Sequence, residues 1–137
     1  MRAKIFEIPN KLVVEWESDA KVIIDTWTTY FVSLDEFREA VMIHGVNYAK
    51  ANNAQAWIVD SHKATGVFSP EIQKFIESDV FPTFAKIGIK YFMTINSDDA
   101  VTRLSINQYS TKVGPHGLKL LKGDSVEGAI AWLKKNT

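Results

Sequence analysis

The chain has no cysteine among its 137 residues, which excludes disulfides, thiolate metal sites and a cysteine nucleophile. It also carries no net charge, because 16 lysine and arginine residues balance 16 aspartate and glutamate residues. A general nucleic-acid binder needs a basic excess to displace counterions from phosphate groups. We therefore expect no nucleic-acid partner.

Long hydrophobic runs are also missing. No stretch approaches the roughly 20 apolar residues of a membrane span, and residues 1–7 lack the apolar stretch of a signal peptide. We expect a cytoplasmic protein without a membrane span. Since 46% of the residues are hydrophobic, the chain is long and apolar enough for one globular domain over residues 1–137.

Hydrophobic periodicity predicts an N-terminal β-hairpin followed by alternating helices and strands. The predicted strands cover residues 5–8, 11–17, 20–27, 56–60, 90–96 and 118–121, and the predicted helices cover 33–52 and 69–88 and begin near 97 and 124. Strands separated by helices of this length favour right-handed crossovers and a parallel sheet. The fold class is therefore mixed α/β, with five to six strands, an antiparallel hairpin and four main helices.

Helix-capping residues support these boundaries. Ser33 and Glu36 have the spacing of a capping box. Ser69 followed by Pro70 is typical of a helix start, with the serine as cap and the proline at the first helical position. Pro82 falls inside the same predicted helix, so we expect a kink or a split a few residues before it.

Residues 56–72 form the stretch around which the chain is organised, since they predict a buried strand, a polar loop and a capped helix start. In an open α/β sheet, ligand and partner sites gather at the carboxyl ends of strands. We therefore expect an interaction surface here, joined by one histidine from a later loop. Its candidate residues are Asp60, His62, Lys63, Phe68, Ser69 and His116.

The order of elements over residues 12–136, together with the sequences at 56–60, 68–71 and 88–91, resembles the SpoIIAA-like branch of the STAS superfamily. This superfamily comprises sulfate transporter and anti-sigma factor antagonist domains, and the branch is also described as STAS/Sec14-like. The resemblance covers almost the whole chain. It implies a single STAS-like domain that acts as a non-enzymatic regulatory or protein-interaction module.

Anti-sigma antagonists of this superfamily carry a D-S-[ST]-G segment whose serine or threonine is phosphorylated by a partner kinase. The resemblance places Ser69 at that position, as a candidate phosphorylation site. The preceding acid is replaced here by Phe68, and the following small residues by Pro70 and Glu71. A phosphate on Ser69 would be repelled by Glu71, so a plain helix cap is the alternative interpretation of this serine.

Asp60, Ser61 and His62 do not make a catalytic triad, because consecutive residues of a strand point to opposite faces. Asp60 and His62 are expected to share a face, either as a pair that anchors the loop or as a polar patch that meets a ligand or partner.

The other histidines do not add a reactive site. His116 lies between glycines that would let the backbone approach a ligand, although a tight turn explains the same residues. His44 lies on an apolar helix stripe and is expected in the core or at its boundary. The spacing fits no metal motif or nucleotide-binding loop. We expect no metal, cofactor or catalytic residue. A remaining hypothesis is an enzyme that uses His62 or His116 as a general base, and it would be supported if these histidines and Asp60 lined one cleft.

Aromatic residues exceed what a small core needs. Tyr30, Phe31 and Phe68, with Val67, fall in predicted loops, where they either are partly exposed or fold back over the core. Exposed aromatic surface indicates a protein partner, a homodimer interface or an apolar pocket. The first hypothesis is therefore a protein-interaction module that forms a homodimer, and the alternative is a carrier or sensor of a small apolar, lipid-like ligand, which requires a cavity of a few hundred Å³.

Overall fold

A computed structural model describes residues 2–137 and confirms the mixed α/β fold. Six strands form one sheet in which spatial order follows chain order. Strands β1 to β3 are antiparallel neighbours, whereas β3 to β6 are parallel. The strands are β1 (Arg2–Ile8), β2 (Leu12–Glu17), β3 (Val22–Trp27), β4 (Ala56–Asp60), β5 (Tyr91–Ile95) and β6 (Lys119–Gly123).

Four helical units connect or follow the parallel strands, as expected from the sequence. The first unit is α1 (Leu34–Phe37), a π-helical segment (Arg38–Gly45) and α2 (Val46–Ala51). The second is α3 (Pro70–Phe75), a π-helical segment (Ile76–Val80) and α4 (Phe81–Lys86). The third is α5 (Ala100–Ser110), followed by a 3₁₀ turn (Gly114–His116), and the fourth is α6 (Val126–Asn136).

The predicted interruption of the second unit is confirmed. The backbone N–H of Phe81 bonds to the carbonyl of Ile76, five residues back, and α4 then begins with Pro82 in its first turn. Proline has no N–H and clashes with the preceding turn of a regular α-helix. The π-helical turn admits the proline by widening the helix just before it. The π-helical turn in the first unit was not predicted.

The sheet separates two hydrophobic clusters of unequal size. Alternate strand residues such as Ile23 and Trp57 face the larger cluster, which contains the side chains of the first three helical units. The intervening residues, such as Ile24 and Ile58, pack against α6 on the opposite face. Right-handed crossovers between sequential parallel strands place the connecting helices on one face, so α6 alone covers the other.

The sequence predicts Val101, Leu104 and Tyr109 on the apolar face of α5, and for Val101 and Leu104 this prediction was wrong. Val101 and Leu104 are exposed, whereas Thr102 and Ser105 are buried together with Ile106 and Tyr109. The polar residues face inwards because Thr102 Oγ1 donates to the carbonyl of Gly66, 2.7 Å away, and Ser105 Oγ accepts from the N–H of Phe68 at 3.3 Å. Across residues 2–137, no helix has the length and apolar character needed to cross a bilayer.

Candidate functional site

The loops at the carboxyl ends of β3, β4 and β5 are joined by hydrogen bonds. The N–H of Tyr30 donates to the carbonyl of Thr65 at 2.8 Å, which fixes residues 28–33 against residues 61–69. Ser97 Oγ donates to the carbonyl of Ala64 at 2.7 Å. These bonds join the three loops at the carboxyl ends of the strands, where the sequence predicts an interaction surface.

Four exposed hydrophobic side chains belong to these loops and to α5, and we call them the apolar patch: Phe31, Val67, Val101 and Leu104, which are 67%, 38%, 59% and 59% exposed. Val67 is held beside α5 because its neighbours on both sides in the chain bond to Thr102 and Ser105. In the described part of the chain, only one other large hydrophobic residue, Ile43, is exposed. Of the two alternatives that the sequence left open, exposed or folded back over the core, Phe31 and Val67 take the first.

Phe31 is placed by a glycine. The ring of Phe31 lies so close to Gly66 that a Cβ atom there would be 2.6 Å from the nearest ring carbon. Gly66 also has a φ of +82°, which residues with a Cβ seldom adopt. Residue 66 must therefore be glycine for the Phe31 ring to lie against the loop at this position.

Phe68 was a candidate residue for this surface but does not belong to it, because it takes the second of the two alternatives that the sequence left open and folds back over the core. It is 3% exposed, and its ring stacks on Tyr30 with centroids 3.9 Å apart. The bond from its N–H to Ser105 turns the side chain inwards. Tyr30 is also fully buried, so these two aromatic residues fold back over the core while Phe31 faces solvent.

The polar candidates after β4 support the loop. Asp60 Oδ1 accepts from the N–H of His62 at 3.1 Å, and His62 Nε2 lies 3.4 Å from Asp98 Oδ2. Lys63 is exposed. The cleft that Asp60 and His62 share also contains the hydroxyls of Thr26 and Ser125, and Ser125 accepts from the N–H of Gly128 and caps α6.

His116 is not brought to this cleft. It is half-buried in the 3₁₀ turn and lines a separate depression with Lys112 and Pro82. His44 is half-buried and stacks on Phe6 with ring centroids 4.1 Å apart, which confirms its boundary position. Within residues 2–137, no group of three or more histidine, aspartate or glutamate side chains is arranged to hold a metal ion.

Ser69 is an exposed helix cap. Its Oγ accepts from the N–H of Ile72 at 3.1 Å, and Glu71 occupies the first turn of α3. The cap that the sequence predicts is confirmed. Phosphorylation of Ser69 stays a prediction.

The sequence interpretation missed a buried acid. Asp25 is 2% exposed and lies between Val14 and Val59 on the neighbouring strands. Its Oδ2 accepts from Trp57 Nε1 at 2.9 Å, whereas Oδ1 has no hydrogen-bond partner among the described residues. Burial raises the pKa of Asp25 to about 7. The signal was one acidic residue in an otherwise apolar stretch of β3.

A small cavity lies beside Asp25 in the larger cluster. Its volume is about 30 Å³, and aromatic and aliphatic side chains line it together with Asp25 and Tyr109. The Tyr109 hydroxyl lies 3.0 Å from that of Tyr30, which also bonds to Ser61. Burial raises the pKa of both tyrosines above the usual range, so both phenols are neutral at physiological pH.

Comparisons with protein-family models, with curated proteins and with solved structures find no match to this chain. The STAS-like resemblance therefore stays a prediction from the sequence.

Proposed function

We propose that this chain is a non-enzymatic, STAS-like regulatory module of the cytoplasm that forms a homodimer through the apolar patch. The observation that carries this proposal is the exposure of Phe31, Val67, Val101 and Leu104 on three segments that hydrogen bonds join to one another. Grouped apolar side chains on the surface of a soluble domain are typical of a protein-interaction site. The regulatory role rests on the resemblance of the sequence to STAS domains.

The loops that carry the patch are already ordered. Residues 28–33 bond to residues 61–69 through the N–H of Tyr30, and residues 61–69 bond to α5 through Thr102. A partner would therefore not have to order these segments on binding. Preorganisation of this kind lowers the entropic cost of association.

The zero net charge of the chain is compatible with a second copy of the chain as the partner. The chain has a formal net charge of zero, so two copies do not repel each other over long distances. The four patch side chains are uncharged, and an interface with twofold symmetry pairs the same surface with itself. Such an interface can bury an apolar patch without a complementary charge on another protein.

The polar residues near the patch already have structural partners, which favours an interaction module over an enzyme. Asp60 holds the backbone of the loop, Ser125 caps α6 and Ser69 caps α3. In the described part of the chain, no hydroxyl is hydrogen-bonded to the ring of His62, whose Nε2 lies beside Asp98. These roles leave His62 without an activated nucleophile beside it.

The cavity volume favours the interaction module over the carrier of an apolar ligand. Pockets for drug-sized ligands have volumes of roughly 300–1,000 Å³. The cavity beside Asp25 has about 30 Å³, which is too small for a lipid chain. Three larger depressions, of about 340 to 510 Å³, have charged side chains in their walls, which do not suit an apolar ligand.

Native mass spectrometry of protein purified from its own host tests the proposal, because it reports the mass of the assembly, any retained ligand and any phosphate in one experiment. We expect two copies of the chain without a lipid. A monomer at cellular concentration, together with cross-linking that captures no partner, would contradict the proposal. A complex with a different protein would contradict the homodimer but not the interaction role.

A further inference from the structure

We propose that the cavity beside Asp25 binds ammonium or methylammonium, with the Asp25 carboxylate as counter-ion and aromatic rings around the rest of the ligand. This site is separate from the apolar patch and does not depend on the proposed dimer. It is inferred from an incompletely satisfied acid, the size of the cavity beside it and the chemistry of the lining.

One carboxylate oxygen of Asp25 is available to accept a hydrogen bond from a ligand. Trp57 Nε1 occupies Oδ2 at 2.9 Å, while Oδ1 lacks a partner among the described residues although the residue is 2% exposed. A buried polar atom without a partner is unfavourable. Because Asp25 lines the cavity, a donor bound there can satisfy Oδ1.

The cavity limits the ligand to one or two non-hydrogen atoms. A water-sized group needs roughly 10–15 Å³ of cavity volume. The cavity beside Asp25 has about 30 Å³, so ammonium fits and methylammonium fills it. A tetramethylammonium ion does not fit.

The lining favours an ammonium-type cation over water or an alkali ion. Trp27, Phe37 and Phe68 are among the aromatic residues around the cavity, and Asp25 and Tyr109 supply its polar groups. The face of an aromatic ring attracts cations, and N–H groups can point at it. Asp25 and Tyr109 offer a buried water only the minimum of two polar partners, and alkali ions replace their hydration shell with a full set of oxygen ligands.

The second π-helical segment forms part of the cavity wall. Ile76 and Val80, at its two ends, line the cavity together with Val41 of the first π-helical segment. Short π-helical turns occur frequently at functional sites. All three side chains are buried, so this part of the wall is apolar.

The charge of the site depends on pH. Burial raises the pKa of Asp25 to about 7, so the carboxylate is mostly ionised at pH 8 and mostly neutral at pH 6. The other titratable groups facing it are Tyr109 on α5 and Tyr30 in the loop after β3, and both remain neutral in this range because burial raises their pKa. Ammonium and methylammonium should therefore bind more tightly as the pH rises from 6 to 8.

A fluorescence titration with methylammonium chloride tests the site, because Trp27 and Trp57 line the cavity. Alkylamines resemble the lysine side chain, whose pKa is about 10.4, and stay protonated at pH 8. We expect a saturable change at pH 8 and roughly tenfold weaker binding at pH 6. Potassium chloride and tetramethylammonium chloride at the same ionic strength should give no saturable change.

Two variants locate the ligand. Asp25→Asn removes the charge with little change of shape and should abolish the response, whereas Asp124→Asn makes the same change on an exposed residue and should preserve it. Val80→Ile adds one methyl group to the wall and should weaken methylammonium more than ammonium. It tests the site even if Asp25→Asn does not fold.

Absence of a saturable response in the wild-type protein would overturn the site. So would an unchanged response in Asp25→Asn or Val80→Ile, or an equal response to potassium, each of which would indicate a surface effect of salt.

Discussion

The Asp25 carboxylate accepts a hydrogen bond from the indole nitrogen of Trp57 at 2.9 Å in the interior of the protein. Trp57 in turn stacks on Phe84, with ring centroids 4.2 Å apart, and the edge of its indole touches Gly45. The acid is therefore held by a side chain that cannot easily move. The other carboxylate oxygen, Oδ1, is buried without a hydrogen-bond partner among the described residues. The stability of the fold therefore depends on whether Asp25 is charged.

Asp25→Asn should change the pH dependence of stability. The pKa of Asp25 is about 7 in the folded protein and 3.8 for the unperturbed side chain, so between these values the folded state binds more protons than the unfolded state. The free energy of unfolding therefore falls as pH rises from about 4 to 7. The asparagine variant lacks this contribution. The difference in unfolding free energy between wild type and variant should therefore change by about 4 kcal/mol between pH 4 and pH 7.

Urea unfolding of both proteins at several pH values between 4 and 8 measures that difference. Carboxylates with lowered pKa values, such as Glu36 and Asp99, act in the opposite direction but are common to both proteins and cancel. Parallel curves for wild type and variant would show that Asp25 does not titrate with a raised pKa.

Gly66→Ala should destabilise the fold and displace Phe31. The φ of +82° alone costs roughly 1–2 kcal/mol for a residue with a Cβ, and the new methyl group would meet the Phe31 ring at 2.6 Å. Gly117→Ala is the matched control, because Gly117 has a φ of +85° with open space around its Cβ position. A larger loss at Gly66 than at Gly117, measured by urea unfolding, isolates the collision with Phe31; equal losses would mean that the ring moves away freely.

Ser69→Ala should cost about 1 kcal/mol of unfolding free energy, because it removes the acceptor for the N–H of Ile72. Ser69→Asp supplies another cap acceptor and should recover most of this loss in thermal or urea unfolding. If Ser69→Ala leaves stability unchanged, the cap is unimportant. In that case, the regulatory interpretation of Ser69 would gain weight.

The sequence predicted the order of elements because its signals are local. The capping box of Ser33 and Glu36 and the proline-induced split before Pro82 depend on neighbours within one or two turns. Asp25 carried its signal as one acid in an apolar strand, but its partner Trp57 is 32 residues away in the chain. The cavity beside Asp25 could not be predicted from the sequence around Asp25 or from the sequence around Trp57 alone.

The inward and outward faces of the loops and of α5 were harder to predict. Hydrophobicity alone favours burial of Val101 and Leu104, yet Thr102 and Ser105 are buried because they bond to the backbone at Gly66 and Phe68. The same bonds turn Phe68 into the core and leave Val67 outside. Contacts between segments more than 30 residues apart therefore decided which side chains form the apolar patch.

The central claim is that the apolar patch is a homodimer interface, and sedimentation velocity of paired variants tests it most directly. Leu104→Asp places a charge in the patch, and Ile43→Asp makes the same change at an exposed residue outside it. We expect the wild-type protein and Ile43→Asp to sediment as dimers and Leu104→Asp as a folded monomer. A wild-type monomer, or a dimer that Leu104→Asp leaves intact, would contradict the claim.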